Sequence, residues 1–492
     1  MGVTAEIADF AAELTWSDIG DGVRSVALDH VVDTYGVTLA GSIEASARIL
    51  RSALGSQAGP SPVLGTDLLQ SPAFAAFENG TAGHALDYDD TQLSTSVEAV
   101  YGLLTHPSVP VLSAASAVAA SIDASGRELL TAYVAGVEVA CRIADAMAPR
   151  HYRDGFHTTG TVGGIGAAVA AGRLLGLSPE RMAIAVGISA SFASGLRENF
   201  GTMTKPLHAG RAAHHGVLAA TLAQHGFTAS AEALEAPRGF FHAAAGTFDQ
   251  TKIVGRLGRP FFLMSPGVSI KPYPSGSLSH PAQDLILGLV TEHDLAPGDI
   301  EAVEVATNSN VPNALIHHRP RTGLEGKFSL EYVVATGVLR RSAGLAEFTD
   351  DAVNDREVQA FLPRVRVLVD PELERLGFQH VRTRIVVRCR DGRVLSGEAE
   401  WARGYPSNPL SRSALEAKFL DCAALPLGPE AARRALAAVK GLESAPKASG
   451  VLDALRSAPV AGAHGMAAVA EEATEPRRAT RGAREASGPR GL

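Results

Sequence analysis

The sequence predicts a mainly α protein in which a large all-α helical domain carries an inserted, smaller α+β domain. Three observations predict this arrangement. From residue 4 to about residue 226, apolar residues recur at three- and four-residue spacings with alanine as the main filler, which is the period of helices. After about residue 268, short runs alternate between apolar and polar residues, as strands do. Helical spacing then returns after about residue 400.

The composition favours a large core built from closely packed helices. The chain has 492 residues, which at roughly 100–200 residues per domain predicts two or three domains. Its 50 glycines follow no three-residue period and 46% of its residues are hydrophobic, so a collagen-like chain is excluded. Because only 5% are aromatic and alanine and glycine abound, helix axes are expected to approach closely. A net charge of −8 argues against a surface that coats nucleic acid.

Individual elements follow from local patterns. In the second region Val303 and Val305 alternate with acidic residues, which predicts a strand. Asp391-Gly392 separates two alternating runs and predicts a β-hairpin. Gly226 provides a stop for the helix before it. The predicted helices include 109–121, 207–225, 281–293 and 329–342, and the predicted strands span 300–307, 364–369 and the two halves of 384–401.

These patterns divide the chain into four parts. We place the all-α domain at 1–268, the α+β domain at 269–400, and a return to the helical domain at 401–455. The tail, 456–492, ends in a stretch of Arg, Glu, Ala, Gly and Pro with almost no large apolar residue, so we expect it to be disordered.

The cysteines and the N-terminus predict a cytoplasmic protein. Cys141, Cys389 and Cys422 lie far apart and form no CxxC pair, which is typical of a reducing compartment and argues against a disulfide scaffold or a cysteine-rich zinc site. The first residues lack a basic segment before an apolar stretch, so they do not resemble a secretory signal. No run of about 18 apolar residues predicts a membrane span.

The first motif with chemical potential is an acidic cluster followed by a histidine, His106. Asp87, Asp89 and Glu98 occupy the first, third and twelfth positions of a calcium-binding loop. The sixth position, which requires glycine, is Gln92, so the pattern argues against calcium. Taken alone, the cluster is more simply explained as a helix end with solvated acids.

The second motif is a glycine-rich helix start at 155–166. A dinucleotide fingerprint is excluded because no strand precedes it. A helix start nevertheless offers free N–H groups to a carboxylate or phosphate, and His157 stands directly before it. Further along, Lys205 precedes a proline-started helix, and Lys271 begins a rigid Lys-Pro-Tyr-Pro turn. Each of these residues taken singly has an ordinary structural explanation.

Together, these motifs resemble the 2-methylcitrate dehydratase (MmgE/PrpD) family, in the same order and spacing, over roughly residues 4–450. The matching stretches are Asn79-Gly80, His84-Ala-Leu-Asp87-Tyr-Asp89-Asp90-Thr91, His106-Pro107-Ser108, Gly155-Phe156-His157, Lys205-Pro-Leu-His208-Ala-Gly210, Lys271-Pro-Tyr-Pro and Gly323-Leu-Glu-Gly-Lys327-Phe-Ser-Leu-Glu-Tyr332.

The resemblance implies an all-α domain with an α+β lid and an active site between them. It also implies a homodimer that needs no metal and no organic cofactor. From the charge and the lack of long apolar runs, we expect no nucleic-acid or membrane partner. Known members act on small di- and tricarboxylates and stabilise negative charge on a carbon next to a carboxylate. Cationic side chains suit that task, and a histidine or aspartate must reach the proton that moves.

The resemblance assigns the family's active-site residues to the matching positions of this sequence. We expect Lys205 and Lys271 to hold substrate carboxylates and His106 to act as general base or acid, with His157 as its counterpart. Asp87 orients His106 or takes part directly, and Tyr332 is a donor from the lid. The expected catalytic residues are therefore His106, His157, Asp87, Lys205, Lys271 and Tyr332, and the expected substrate-binding residues are Thr91, Lys205, Lys271, His208 and His280.

The reaction itself stays open among several alternatives. Dehydration of a 2-methylcitrate-like hydroxy acid is our first hypothesis, cis-aconitate-type decarboxylation the second, and epimerisation of an iminodisuccinate-like acid the third. A non-catalytic carboxylate-binding protein is the alternative from another class. Gly276 stands where dehydratase- or decarboxylase-like members often have Cys or His, and the stretch 199–206 resembles the epimerase branch.

Overall fold

The computed structural model describes residues 2–93, 102–377 and 380–457. Among these residues the fold is mainly helical, as predicted. The helices of the first part are α1 (Val3–Glu13), α2 (Asp21–Gly41), α3 (Ala45–Leu54), α4 (Pro72–Ala85), α5 (Ser108–Ser121), α6 (Gly126–Ala146), α7 (Arg150–Arg153), α8 (Thr158–Leu174), α9 (Pro179–Ser191), α10 (Thr204–Gln224) and α11 (Phe240–Ala245).

Later helices are shorter, and they alternate with strands. They are α12 (His280–Glu292), α13 (Asn310–Ala314), α14 (Gly323–Gly326), α15 (Leu330–Arg340), α16 (Asp350–Val353), α17 (Arg356–Phe361), α18 (Pro371–Arg375), α19 (Arg412–Leu427), α20 (Pro429–Lys440) and α21 (Ala448–Asp453). The strands are β1 (Ser61–Pro62), β2 (Leu69–Gln70), β3 (Ile300–Thr307), β4 (Val365–Val369), β5 (Thr383–Cys389) and β6 (Val394–Ala399).

The helical core is held together by glycines that let helix backbones touch. A methyl group placed on Gly80 of α4 would lie 2.7 Å from the Cα of Gly210 on α10. One placed on Gly136 of α6 would lie 2.6 Å from the carbonyl oxygen of Gly166 on α8. Both distances are too short for a side chain, so these crossings require glycine. The close approach of helices predicted from the composition is confirmed.

A four-stranded sheet in the order β4-β3-β5-β6 is formed between residues 300 and 399. Strand β3 pairs in parallel with β4 and antiparallel with β5, and β5 pairs antiparallel with β6. Helices α12 and α15 pack against it. Along β3 the side chains of Val303 and Val305 are buried, which is the alternation expected of a sheet with one covered face.

Sequence-based boundaries agree closely with the structure. Helices α5, α10, α12 and α15 and the strands of the sheet lie within a few residues of their predicted positions. Along the edge strand β4, Val365 is buried whereas Val369 is half exposed.

The described chain up to residue 457 forms one compact unit, and α19 returns from the C-terminal part to pack on α2. The four-part division stays a prediction. Most of the tail expected to be disordered, and Glu98 of the acidic motif, lie outside the described residues. In the described part of the chain, no helix combines the length and apolar character needed to cross a membrane.

Candidate active site

Asp87 lies at the centre of a buried group of charges. Helix α4 ends at Ala85, and the chain then turns with Asp87 in the left-handed region (φ 51°). The Asp87 Oδ1 atom accepts a hydrogen bond from Lys205 Nζ at 2.6 Å, and Oδ2 lies 3.1 Å from Lys271 Nζ. Lys271 also donates to the backbone carbonyl of Asp87 at 2.9 Å. The turn therefore places one carboxylate between the two lysines that we expected to bind substrate.

Lys205 reaches this position because α4 and α10 cross at the Gly80–Gly210 contact. Lys205 lies in the first turn of α10 and is almost completely buried. Its Nζ donates to His84 Nε2 at 2.7 Å as well as to Asp87. An ammonium group has three N–H bonds. The contacts with described residues use two of them, so one remains for a substrate oxygen.

The contact with Lys205 determines the tautomer of His84. Because an ammonium group can only donate, Nε2 of His84 accepts and its proton lies on Nδ1. Nδ1 then donates to the carboxylate of Asp89 at 2.8 Å. His84 is therefore neutral, and it holds Lys205 in place rather than supplying a proton.

Asp89 also orients His106. Its Oδ2 atom lies 3.4 Å from Nδ1 of His106, and the imidazole rings of His84 and His106 meet edge to face with centroids 4.6 Å apart. The backbone N–H of His106 donates to the hydroxyl of Thr159 at 3.0 Å. Because Nδ1 of His106 faces both Asp89 and the hydroxyl of Thr91, each at 3.4 Å, its Nε2 atom is left for proton transfer.

His157 is the N-cap residue of α8 and is fully buried. Its Nδ1 lies 3.1 Å from Nδ1 of His208, so one of the two imidazoles donates to the other. Its Nε2 is buried and has no hydrogen-bond partner among the described residues. A buried polar atom without a protein partner is costly, so we expect a water molecule or a substrate group to contact it.

Burial and neighbouring charges shift the pKa values of these groups. Burial alone would raise the pKa of Asp87, but the ammonium groups of Lys205 and Lys271 outweigh it and hold that pKa well below its ordinary value. Burial and then, among its neighbours, Lys205 lower the pKa of His84 to about 3 against the opposing effect of Asp89. Burial and Lys205 hold the pKa of His157 well below its usual range. At neutral pH Asp87 is therefore ionised, whereas His84 and His157 are neutral.

Lys205, Lys271 and Asp87 line a narrow cavity together with His106 and His157. Asp87 comes from the loop after α4, His106 from the segment before α5, His157 from the N-cap of α8, Lys205 from α10, and Lys271 from the turn that it begins. Thr91 and Ser277 bond to each other through their hydroxyls at 3.0 Å. The remaining lining is largely apolar. The full lining comprises Asp87, Thr91, Leu104, His106, Tyr152, His157, Phe200, Lys205, Lys271, Gly276, Ser277, Leu278, Ala314, Leu315 and Phe328.

Three expected site residues do not line this cavity. The hydroxyl of Tyr332 donates to the carbonyl of Glu347, so it does not act as a lid-side donor to the site in this structure. His280 hydrogen-bonds to the carbonyl of Ser275 at 3.1 Å and is buried behind the turn of Lys271. His208 contacts His157 instead of the cavity. The structure brings the other expected residues, Asp87, Thr91, His106, His157, Lys205 and Lys271, together.

Sequence reasoning missed the positioning roles of His84 and Asp89. Both stand in the first motif, and the spacing of His84 and Asp89 around Asp87 was the only available signal. It also missed the apolar part of the lining. Leu104, Leu315 and Phe328 come from separate segments that only the tertiary fold brings together.

His84, Asp87, Asp89 and His106 could also hold a metal ion, because one ligand atom from each lies within 4.8 Å of the others. Here the ammonium group of Lys205 bonds to two of them. A metal ion would have to displace those contacts. That the site works without a metal therefore stays a prediction, supported by a lysine in the place of the ion.

Comparison with known proteins gives two matches to family models. Residues 5–252 match the MmgE/PrpD N-terminal domain, and residues 273–444 match the MmgE/PrpD C-terminal domain. Among curated proteins, cis-aconitate decarboxylase from Homo sapiens is 30% identical over 77% of this chain and 78% of its own length. The enzyme from Mus musculus is 29% identical over 85% of this chain and 86% of its own length. The enzyme from Aspergillus terreus is 26% identical over 81% of this chain and 85% of its own length.

Proposed function

Since the chain belongs to the MmgE/PrpD family, we propose that it is a lyase that decarboxylates an unsaturated tricarboxylate of the cis-aconitate type. At the level of the family, the enzyme is a lyase and its substrate a small carboxylic acid. The decarboxylase function supersedes dehydration as our first hypothesis because the curated relatives reported above are cis-aconitate decarboxylases.

The observation that carries the proposal is the mixed lining of the cavity. Lys205 and Lys271 supply positive charge for substrate carboxylates, and both lie beside an imidazole-rich part of the site. Leu104, Leu278 and Leu315 contribute an apolar part. A carboxylate loses its charge when it leaves as CO₂, so an apolar surrounding disfavours the starting carboxylate more than the product. This combination suits decarboxylation.

The proposed reaction needs only the protein's own side chains. The bond between the methylene carbon and its carboxylate breaks and releases CO₂, and its electron pair forms a new double bond to the central carbon. The former double-bond pair moves to the carbon next to the other terminal carboxylate. Lys205 and Lys271 stabilise the charge on that carboxylate. Protonation of the carbon by a general acid completes the reaction.

We assign the protonation to His106, and His157, which is neutral, is its counterpart in the site as a hydrogen-bonding group. Asp89 fixes the orientation of His106, and a carboxylate on Nδ1 stabilises the protonated imidazole from which the proton is given. His157 offers a buried Nε2 with its other nitrogen on His208. His84 is excluded from this step because Lys205 occupies its Nε2.

Dehydration of a 2-methylcitrate-like acid is the second candidate function. The same apolar lining would receive the methyl group, and the two imidazoles could serve as base and acid. Epimerisation of an iminodisuccinate-like acid uses the same groups and ranks third, and a non-catalytic carboxylate-binding protein ranks last. We further propose a cytoplasmic homodimer, for which three buried, unpaired cysteines suit a reducing compartment. Light scattering coupled to gel filtration tests the dimer.

Incubation of the purified protein with cis-aconitate, 2-methylcitrate and iminodisuccinate tests the function. We expect CO₂ release and a dicarboxylate with a terminal methylene group, detected by NMR, from cis-aconitate alone. His106→Gln should abolish the reaction while still binding tricarballylate, a saturated tricarboxylate. Water loss from 2-methylcitrate without CO₂ release from cis-aconitate would contradict the proposal and establish the dehydratase instead.

A further inference from the structure

Two buried lysines do not line the cavity, yet both donate hydrogen bonds to backbone carbonyls of the segments that form it. Lys327 Nζ donates to the carbonyl of Leu86 at 2.9 Å and to that of Pro274 at 3.1 Å. Lys418 Nζ donates to the carbonyls of Tyr88 and Lys271, each at 2.8 Å. Each ammonium group therefore connects the segment around Asp87 to the turn that begins at Lys271.

The four carbonyls belong to two segments of the active site. Leu86 and Tyr88 flank Asp87 in the chain, and Lys271 and Pro274 are the ends of the Lys-Pro-Tyr-Pro turn. The two lysines come from distant parts of the sequence. Lys327 is the C-cap residue that follows α14, whereas Lys418 lies within α19, in the returning C-terminal part. Contacts from two independent elements thus converge on the same pair of segments.

We propose that Lys327 and Lys418 are positioning residues that hold the Asp87 segment against the Lys271 turn and so set the distance between Asp87 and Lys271. The proposal rests on the proposed function only in taking Asp87 and Lys271 as part of the active site. It applies whichever small carboxylate the enzyme converts.

The electrostatic surroundings support a role beyond stability. Lys418 pairs with the buried Asp33 at 2.6 Å and lies 3.8 Å from the ring centroid of Tyr88. Lys327 has no carboxylate within 4.0 Å among the described residues, and its charge faces the ring of Phe348 at 4.9 Å. Burial lowers the pKa of Lys327 to about 8. An apolar side chain would serve stability as well as or better than such a buried cation.

Variants can separate positioning from stability. Lys418→Met alone leaves Asp33 as a buried unpaired charge and would destabilise the protein for that reason. The double variant Asp33→Leu/Lys418→Met removes the charge pair as a unit and should restore thermal stability. Lys327→Met has no partner charge to strand. Lys447→Met, which removes an exposed ion pair with Asp123, is the matched control.

The deciding readout is backbone amide exchange measured by mass spectrometry, which needs no substrate. In the double variant and in Lys327→Met, we expect exchange in peptides covering 86–91 and 269–276 to accelerate by about tenfold or more while the melting temperature stays close to that of the wild type. The control should not change. Unaltered local exchange in a stably folded double variant would overturn the proposal.

Kinetics with cis-aconitate supply a second readout. We expect kcat to fall by about 10- to 100-fold in both variants because small displacements of catalytic groups are costly. A double variant with normal melting temperature and normal kcat would also overturn the proposal. If the wild type proves inactive on cis-aconitate, the proposed function fails, whereas the exchange measurement still decides the role of the two lysines.

Discussion

Substituting Gly80 by alanine tests whether a contact between two helices sets the geometry of the active site. The added methyl group would lie 2.7 Å from the Cα of Gly210, whereas ordinary contact begins at 3.4 Å. Neither atom can rotate away, because the methyl group is fixed by the backbone of α4 and the Cα belongs to α10. The helices must therefore separate by about 0.7 Å.

This separation acts directly on His84 and Lys205. His84 lies one turn after Gly80 on α4, and Lys205 lies on α10. An opening of about 0.7 Å takes their contact from 2.7 Å to about 3.4 Å, the limit of a hydrogen bond. We expect kcat/KM for cis-aconitate to fall by about 10- to 100-fold, since a displacement of about 1 Å can cost 100-fold.

The stability of the same variant follows from two opposing effects. Overpacking costs about 1–3 kcal/mol, and replacing glycine by alanine within a helix recovers about 1 kcal/mol. We therefore expect a net loss of about 0–2 kcal/mol, measured by urea denaturation. Gly288→Ala on the exposed side of α12, where a methyl group meets no atom within 4 Å, is the control and should be stabilising with unchanged turnover. A Gly80→Ala enzyme that behaves like this control would refute the reasoning.

Three further predictions concern single residues. Asp89→Asn should lower kcat by about 100-fold or more, because an amide no longer stabilises the imidazoles of His84 and His106. Binding of tricarballylate should change little. A fall in affinity without a fall in kcat would contradict this role. Tyr332→Phe should leave kcat within about twofold of the wild type. It should cost about 1 kcal/mol of stability, because the Tyr332 hydroxyl donates to the carbonyl of Glu347. A large loss of kcat would instead support a catalytic role for Tyr332. Burial, followed by the charge of Lys271, lowers the pKa of His280 to about 3 from an ordinary value of 6.5, so the unfolded chain takes up the proton first and stability falls as the pH drops from 6.5 towards 3. Between pH 7 and pH 5 this residue should cost about 2 kcal/mol in urea denaturation, and His280→Gln should remove that part of the pH dependence.

Local patterns predicted the fold well because helix and strand periods are properties of short segments. The hairpin at Asp391-Gly392 and the strand β3 need only their own residues to be recognised. The charged part of the site was also predictable, since Asp87, Lys205 and Lys271 each stand in a motif. Their meeting point was not, because it depends on a glycine contact between two helices far apart in sequence.

The contacts that could not be predicted from the sequence also depend on the tertiary fold. Tyr332 stands in a family motif, but its hydroxyl satisfies a nearby carbonyl, and no pattern along the chain predicts which acceptor a buried hydroxyl finds. Lys327 stands in one of the stretches that resemble the family, whereas Lys418 stands in none of them. Both nevertheless donate hydrogen bonds to backbone carbonyls of the site. Contacts with backbone carbonyls are independent of the partner's side chain, so they leave no trace in the partner's sequence.

The position of Asp87 has a consequence for which acids the enzyme admits. Its carboxylate already contacts both lysines, so any incoming carboxylate competes with one that is tethered in place. The effective concentration of a tethered group is of the order of millimolar or higher. A monocarboxylate that exchanges one for one with Asp87 gains little, whereas a polycarboxylate can engage the remaining N–H groups of Lys205 and Lys271 at once. We therefore expect discrimination against simple acids to arise from competition inside the protein, even in a cavity large enough to admit them.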